Sequence, residues 1–85
     1  MKKIRLKFTS KEQVLSFINC VQDLPGEYDL VEGRKDIDAK SALGVMSLDF
    51  SKAITLVVYA DEEYPWVMDK LARFAAKPPV LQQIG

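Results

Sequence analysis

The sequence predicts one α+β domain, an open-faced β-sandwich in which three helices cover one face of a four-stranded antiparallel sheet. Three observations support this prediction. The predicted elements follow in the order β-α-β-β-α-β-α, their connections are short, and 48% hydrophobic residues in a chain of 85 suffice for a single modest core. Short connections favour an antiparallel sheet, because parallel strands need long crossovers.

The first strand is predicted over residues 2–8, where apolar and basic side chains alternate. The basic side chains could contact phosphate groups, but a solvent-exposed outer face of the sheet is the favoured interpretation. The inward residues are Ile4, Leu6 and Phe8, and the outward basic row is Lys3, Arg5 and Lys7.

A helix follows directly, because Ser10 and Gln13 have the spacing of a capping box. The helix ends at Pro25-Gly26. Cys20 lies inside it and, since the chain has no His to activate a thiol, is interpreted as a packed residue and not as a nucleophile. The apolar residues at helical spacing are Val14, Phe17, Ile18, Val21 and Leu24.

Residues 28–31 and 36–39 are predicted to form a hairpin around a turn at residues 32–35. Asp29, Asp36 and Asp38 should point outward. Asp36 and Asp38 share one face, but without a third ligand or an adjacent base they are interpreted as solvated carboxylates and not as a metal site or an acid–base pair. The inward candidates are Tyr28, Leu30, Ile37 and Ala39.

Residues 53–60 form the richest β-branched run and should be the best-buried strand. The acidic residues 61–63 then match the N-terminal dipole of a last helix, which has Pro65 in its first turn and continues to Phe74. Trp66 should be partly exposed. Because Lys-Pro-Pro at residues 77–79 ends this helix, the domain is assigned to residues 1–77 and a C-terminal tail to residues 78–85.

The composition argues against two classes of protein. Lys and Arg total 12 and Asp and Glu total 12, so the formal net charge is zero, whereas proteins dedicated to nucleic acids or membrane surfaces usually carry a basic excess. The single cysteine cannot form an internal disulfide, and no apolar run is long enough to span a membrane. Together with an N-terminus that lacks the apolar core of a signal peptide, this predicts a cytoplasmic protein.

Ser41 opens a short apolar run that predicts a helix of one or two turns between the hairpin and the last strand. Its hydroxyl is suited to cap that helix. Leu43, Val45, Met46 and Leu48 cannot all face one core on so short an element, so part of this apolar surface should be exposed. An exposed apolar surface suggests a docking site for another protein.

The same run, Lys-Ser-Ala-Leu-Gly-Val-Met-Ser-Leu, resembles the Lys-Ser-x-Met-Gly-Val-Met-Ser-Leu motif around the regulatory serine of HPr, the histidine-containing phosphocarrier of the bacterial sugar phosphotransferase system. The family also has the element order predicted above. The resemblance implies that Ser41 is phosphorylated by a dedicated ATP-dependent kinase. It further implies that Ala42, Leu43, Gly44 and Met46 contact partner proteins, such as an HPr-type kinase/phosphorylase or a transcriptional regulator.

The chain departs from the family at the phosphocarrier site, a Gly-x-His-Ala-Arg-Pro loop. It contains no His, and counting back from Ser41 without gaps places Ser10 in the His slot and Glu12 in the Arg slot. A serine phosphate ester lacks the transfer potential of a phosphoramidate, and nothing in the sequence supplies the base that a serine nucleophile needs. No zinc cluster, Ser-His pair or glycine-rich phosphate loop is present. We therefore expect a regulatory or docking protein that is not an enzyme and needs no cofactor or metal.

Two alternatives stay open at this point. Ser41 can be a structural helix cap with no regulatory role. The order β-α-β-β-α-β is also that of the RNA-recognition fold, in which the basic row of the first strand and Tyr59 could line an open sheet face, although the aromatic pair expected on central strands is absent.

Overall fold

The computed structural model describes residues 1–76. It is an α+β domain with a four-stranded antiparallel open sheet and three helices, as the sequence predicts. Residues 77–85, which include the assigned tail, lie outside the described part. The elements are β1 Lys2–Leu6, α1 Lys11–Gln22, β2 Tyr28–Glu32, β3 Lys35–Asp38, α2 Ala42–Met46, β4 Ile54–Val58 and α3 Val67–Leu71, followed by a 3-10 turn at Ala72–Phe74.

The strands lie in the order β1-β4-β2-β3, and every neighbouring pair is antiparallel. Ile4, Leu56, Leu30 and Ile37 stand side by side across the sheet and face the helices. Strand β4 lies between β1 and β2, and its predicted role as the best-buried strand is confirmed. The core joins this face of the sheet to buried side chains from all three helices. Among residues 1–76, no helix lies on the opposite face.

Helix α1 begins as the capping box predicts. The Ser10 hydroxyl accepts a hydrogen bond from the Gln13 amide at 3.2 Å, and the Gln13 side chain accepts one from the Thr9 amide at 2.7 Å. These bonds satisfy amides that would otherwise have no partner at a helix start. The five predicted apolar residues are buried, although α1 itself ends at Gln22 and Leu24 belongs to the following turn.

The last helix is shorter than predicted. It starts at Val67 instead of near Pro65, ends at Leu71 and continues as the 3-10 turn Ala72–Phe74. The chain leaves the α-helix there and pairs with β1: the Lys7 amide donates to the Phe74 carbonyl at 3.0 Å and the Ala76 amide to the Arg5 carbonyl at 2.7 Å. These bonds pair residues 74–76 with the outer edge of β1.

The acidic residues 61–63 do not cap α3, which corrects the sequence prediction. They lie in a turn that ends several residues before the helix, and Asp61 is buried. An Asp61 carboxylate oxygen lies 3.0 Å from the Met1 amino group, so this carboxylate ties the start of β1 to the end of β4. None of the helices in residues 1–76 combines the length and apolar character that a membrane crossing requires.

Candidate functional site

Ser41 caps α2, as predicted. Its side chain is exposed, and its hydroxyl oxygen accepts a hydrogen bond from the Gly44 amide at 3.2 Å. Its own amide donates to the Asp38 carbonyl at 3.0 Å, and its carbonyl accepts from the Val45 amide at 2.9 Å. The hydroxyl is therefore held at the protein surface by backbone contacts on both sides, where a modifying enzyme can reach it.

Gly44 allows this close approach. A Cβ atom at this position would lie 3.2 Å from the Ser41 hydroxyl oxygen and 3.3 Å from the terminal methyl group of Ile37. Both contacts are tighter than ordinary van der Waals packing, so a larger residue would push the capping hydroxyl away. Gly44 is half-buried. Its contacts show a role in positioning Ser41, and contact with a partner protein stays a prediction for this residue.

The apolar residues of α2 divide between the core and the surface. Val45 is fully buried, whereas Leu43 is 85% exposed and Met46 56% exposed. Ala42 is also exposed, and Leu48, just after the helix, is buried. The prediction that this short run leaves apolar surface uncovered is confirmed, and the uncovered side chains are those that the resemblance assigns to partner contact.

A cavity of about 290 Å³ lies between the start of α1 and the end of α2. It brings together Ser10, which the resemblance places in the slot of the phosphocarrier His, and Met46, two residues that are far apart in the sequence. The Phe8 and Phe50 rings meet edge to face with centroids 5.3 Å apart. The cavity is lined by Phe8, Ser10, Lys11, Val14, Met46 and Phe50.

Sequence reasoning missed the cavity walls. The sequence predicts Phe8 and Val14 as core residues and places Phe50 in no element. In the structure Val14 is buried, Phe8 is half-buried against the core, and both also line the cavity. Phe50 is an isolated aromatic residue in the polar run Asp49 to Lys52, and no sequence periodicity marks it. Its position next to Phe8 results from the packing of the α2–β4 connection against the segment that joins β1 to α1.

The chemistry available at Ser10 is limited. Its hydroxyl oxygen is the acceptor in the α1 cap, and Glu12 places a carboxylate in the same helical turn. A carboxylate there disfavours an incoming phosphate. Among residues 1–76, no group of three or more side chains is arranged to hold a metal ion. Ser10 therefore fits the role of a helix cap.

Lys40, which precedes Ser41 in the resembling motif, is used inside the fold. Its ammonium group donates to the Leu24 carbonyl and lies 5.7 Å from the centre of the Tyr28 ring. Its backbone carbonyl also accepts a hydrogen bond from the Gln22 side chain. These contacts fasten the segment before α2 to the end of α1, so Lys40 serves the packing of the site.

The open face of the sheet carries charges of both signs. The basic side chains Lys3 and Arg5 stand on β1 and are exposed, as predicted. On the same face, β2 and β3 contribute the outward carboxylates of Asp29, Asp36 and Asp38. A nucleic acid is a polyanion, so the carboxylates on this face would repel it while the basic side chains attract it. This mixture of charges does not favour nucleic-acid binding.

Comparisons of the chain with protein-family models, with curated proteins and with solved structures find no match.

Proposed function

We propose that this protein is an HPr-like regulatory module of the bacterial sugar phosphotransferase system that has no phosphocarrier chemistry and binds partner proteins through α2. The observation that carries the proposal is the exposure of Leu43 and Met46, at 85% and 56%, on the helix that the exposed Ser41 caps. The resembling motif and the element order, with α2 between the hairpin and β4, support the same assignment.

The partner is expected to bring an apolar side chain. Large exposed apolar residues grouped on one helix mark interaction surfaces more often than isolated ones do. Met46 connects the exposed surface of α2 to the cavity beside it, where Phe8, Val14 and Phe50 form apolar walls. Lys11 on the cavity wall offers a cation to an acidic group on the same partner.

Phosphorylation of Ser41 would switch this surface without unfolding it. The hydroxyl is exposed, so a phosphate does not have to enter the core. The phosphate adds roughly −1.5 to −2 charges beside Leu43, and the first-turn amides of a helix can donate hydrogen bonds to its oxygens. Partners with an Arg or Lys beside their apolar contact should gain affinity, and partners with an acidic rim should lose it.

Ser41 is expected to be modified when the protein is incubated with ATP and an HPr-type kinase. Mass spectrometry of the intact protein should show one added phosphate, and Ser41→Ala should show none. Incubation with phosphoenolpyruvate and the first enzyme of the phosphotransferase system should add none, because the chain has no His. An unmodified Ser41 under conditions that modify a true HPr would leave this residue with its capping role alone.

Leu43→Ser and Met46→Ser should weaken partner binding and leave stability nearly unchanged, within about 0.5 kcal/mol, because surface substitutions rarely change stability more than this. Urea unfolding monitored by circular dichroism measures the stability. Calorimetric titration with a partner isolated by pull-down from lysate measures the binding. Val45→Ser is the core control on the same helix and should lower the urea midpoint clearly, since Val45 is fully buried. Leu15→Ser is the surface control, because Leu15 is 44% exposed on α1 and does not line the cavity. If it weakened binding as much as Leu43→Ser, the docking surface would not be centred on α2.

Nucleic-acid binding through the basic side of β1 stays a prediction of the sequence. Titration with a short single-stranded oligonucleotide at low salt tests it, because phosphate contacts are strongest there.

A further inference from the structure

We propose that the open face of the sheet binds a second copy of this chain, through basic and acidic side chains that are segregated at its two edges. This surface lies on the side of the sheet opposite α2, so the inference goes beyond the proposed function and does not depend on it.

The strand order and the register produce the segregation. One row across the sheet reads Arg5 on β1, Thr55 on β4, Val31 on β2 and Asp36 on β3. The neighbouring row on the same face reads Lys3, Val57, Asp29 and Asp38. Each row therefore runs from a cation at the β1 edge to a carboxylate at the β3 edge.

The two edges cannot neutralise each other within one copy. They are three strand spacings apart, about 14 Å, which exceeds the Debye length of about 8 Å at physiological ionic strength. Among residues 1–76, none of these charged side chains forms an ion pair with another. The charges are left available for a partner.

The acidic edge shows the cost of this arrangement. The pKa of Asp36 lies above its ordinary value because of partial desolvation, and the charge of Asp29 and a hydrogen bond with Asp29 raise it further. Two neutral donors reach this edge: the Tyr59 hydroxyl donates to Asp29 at 3.0 Å, and the Lys40 backbone amide donates to Asp38 at 2.9 Å. No cation from the same copy relieves the repulsion between the carboxylates of Asp29 and Asp36 among the described residues.

A two-fold axis parallel to the strands matches the charges. When two sheets pack face to face about such an axis, β1 of one copy lies over β3 of the other, and each residue row lies over the same row of the partner. Arg5 then faces the partner's Asp36, and Lys3 faces the partner's Asp38. An axis perpendicular to the strands would place β1 on the partner's β1 and set like charges together. The charge pattern therefore selects one of the two aligned packings.

The centre of the face is less polar than its edges. Val57 stands on the open face and therefore does not belong to the core cluster. It is nevertheless only 6% exposed. Val31 and Thr55, both half-buried, adjoin it. Four short strands give a face of roughly 300 Å² in outline, well below the roughly 800 Å² per partner of a stable interface, so a weak, salt-sensitive dimer is expected.

Reciprocal charge reversal tests the proposal. Sedimentation equilibrium up to millimolar protein should show a monomer–dimer equilibrium at about 0.01 M salt that disappears at about 1 M salt, where the Debye length falls to about 3 Å. Arg5→Glu alone and Asp36→Lys alone should each raise the dissociation constant about tenfold, because each reverses both symmetry-related pairs. An equimolar mixture of the two variants should restore parental association, since each copy then offers the sign that the other lacks.

The matched controls reverse charges of the same sign on the helical side of the molecule. Lys70→Glu on α3 and Glu12→Lys on α1 are both exposed and should leave the dissociation constant unchanged. Circular dichroism confirms that each variant is folded. A parent that stays monomeric at low salt, single variants that associate like the parent, or a mixture no better than its components would overturn the proposal.

Discussion

Phe17→Ala should lower the free energy of unfolding by about 3–5 kcal/mol, the range for emptying a buried phenylalanine site. Phe17 is fully buried, and its ring meets Phe8 and Phe74 edge to face at centroid distances of 5.5 and 5.3 Å. A chain of 85 residues has a total stability on the order of 4–13 kcal/mol, so this loss is a large fraction of it. Urea unfolding followed by far-ultraviolet circular dichroism measures the change.

Leu15→Ala is the matched control for Phe17→Ala on the same helix. Leu15 is 44% exposed, and Ala is at least as good a helix former as Leu, so the loss should stay below about 1 kcal/mol. Equal losses for the two variants would contradict the orientation of α1 described above. Because Phe8 contacts Phe17 and also lines the cavity beside α2, Phe17→Ala should loosen the cavity wall as well.

Gly26→Ala should destabilise the domain by about 2–5 kcal/mol, for two reasons that add. Gly26 has φ 91°, a region that L-residues enter at a cost of roughly 1–2 kcal/mol. A Cβ atom there would lie 2.3 Å from the Cβ of Ala60, and relieving an overlap of this kind costs about 1–3 kcal/mol. Thermal melting and urea unfolding should both show the loss.

Gly33→Ala separates the two contributions. Gly33 also has positive φ, at 59°, but nothing lies within 4 Å of a Cβ atom placed there. Its loss should therefore be confined to the conformational cost, about 1–2 kcal/mol, and be smaller than that of Gly26→Ala. If both substitutions had the same effect, the turn after α1 would not be packed against Ala60 as the structure has it.

The elements that the sequence predicts best depend on neighbours along the chain. The start of α1 follows from Ser10 and Gln13, three residues apart, and the buried side of the helix from the spacing of its apolar residues. Capping at Ser41 is equally local, because its acceptor and donor atoms lie within one turn. The apolar pattern of this run predicts that some of its side chains must be exposed, because they cannot all face one core. The pattern alone does not predict that Leu43 is exposed and Val45 is buried.

The less successful predictions depend on contacts between distant segments. The end of α3 is determined by pairing with β1, and the acidic residues 61–63 were assigned to a helix start although Asp61 reaches the Met1 amino group. Lys40 belongs to the run that resembles the HPr motif, and only the tertiary structure shows that its ammonium group donates to the Leu24 carbonyl. A local pattern shows what a side chain can do and leaves open which distant group it meets.

The alternation of residues along each strand determines which side chains share a face, so the outward positions of Arg5 and Asp36 follow from the sequence. Their placement in one row, at opposite edges of the sheet, follows from the strand order β1-β4-β2-β3 and the register between strands. The register is fixed because one face of every strand must be buried against the same helices. This requirement involves the whole domain and not a single strand. The cavity that joins Ser10 to Met46 depends on the same packing, because its walls come from α1, α2 and the connections β1–α1 and α2–β4.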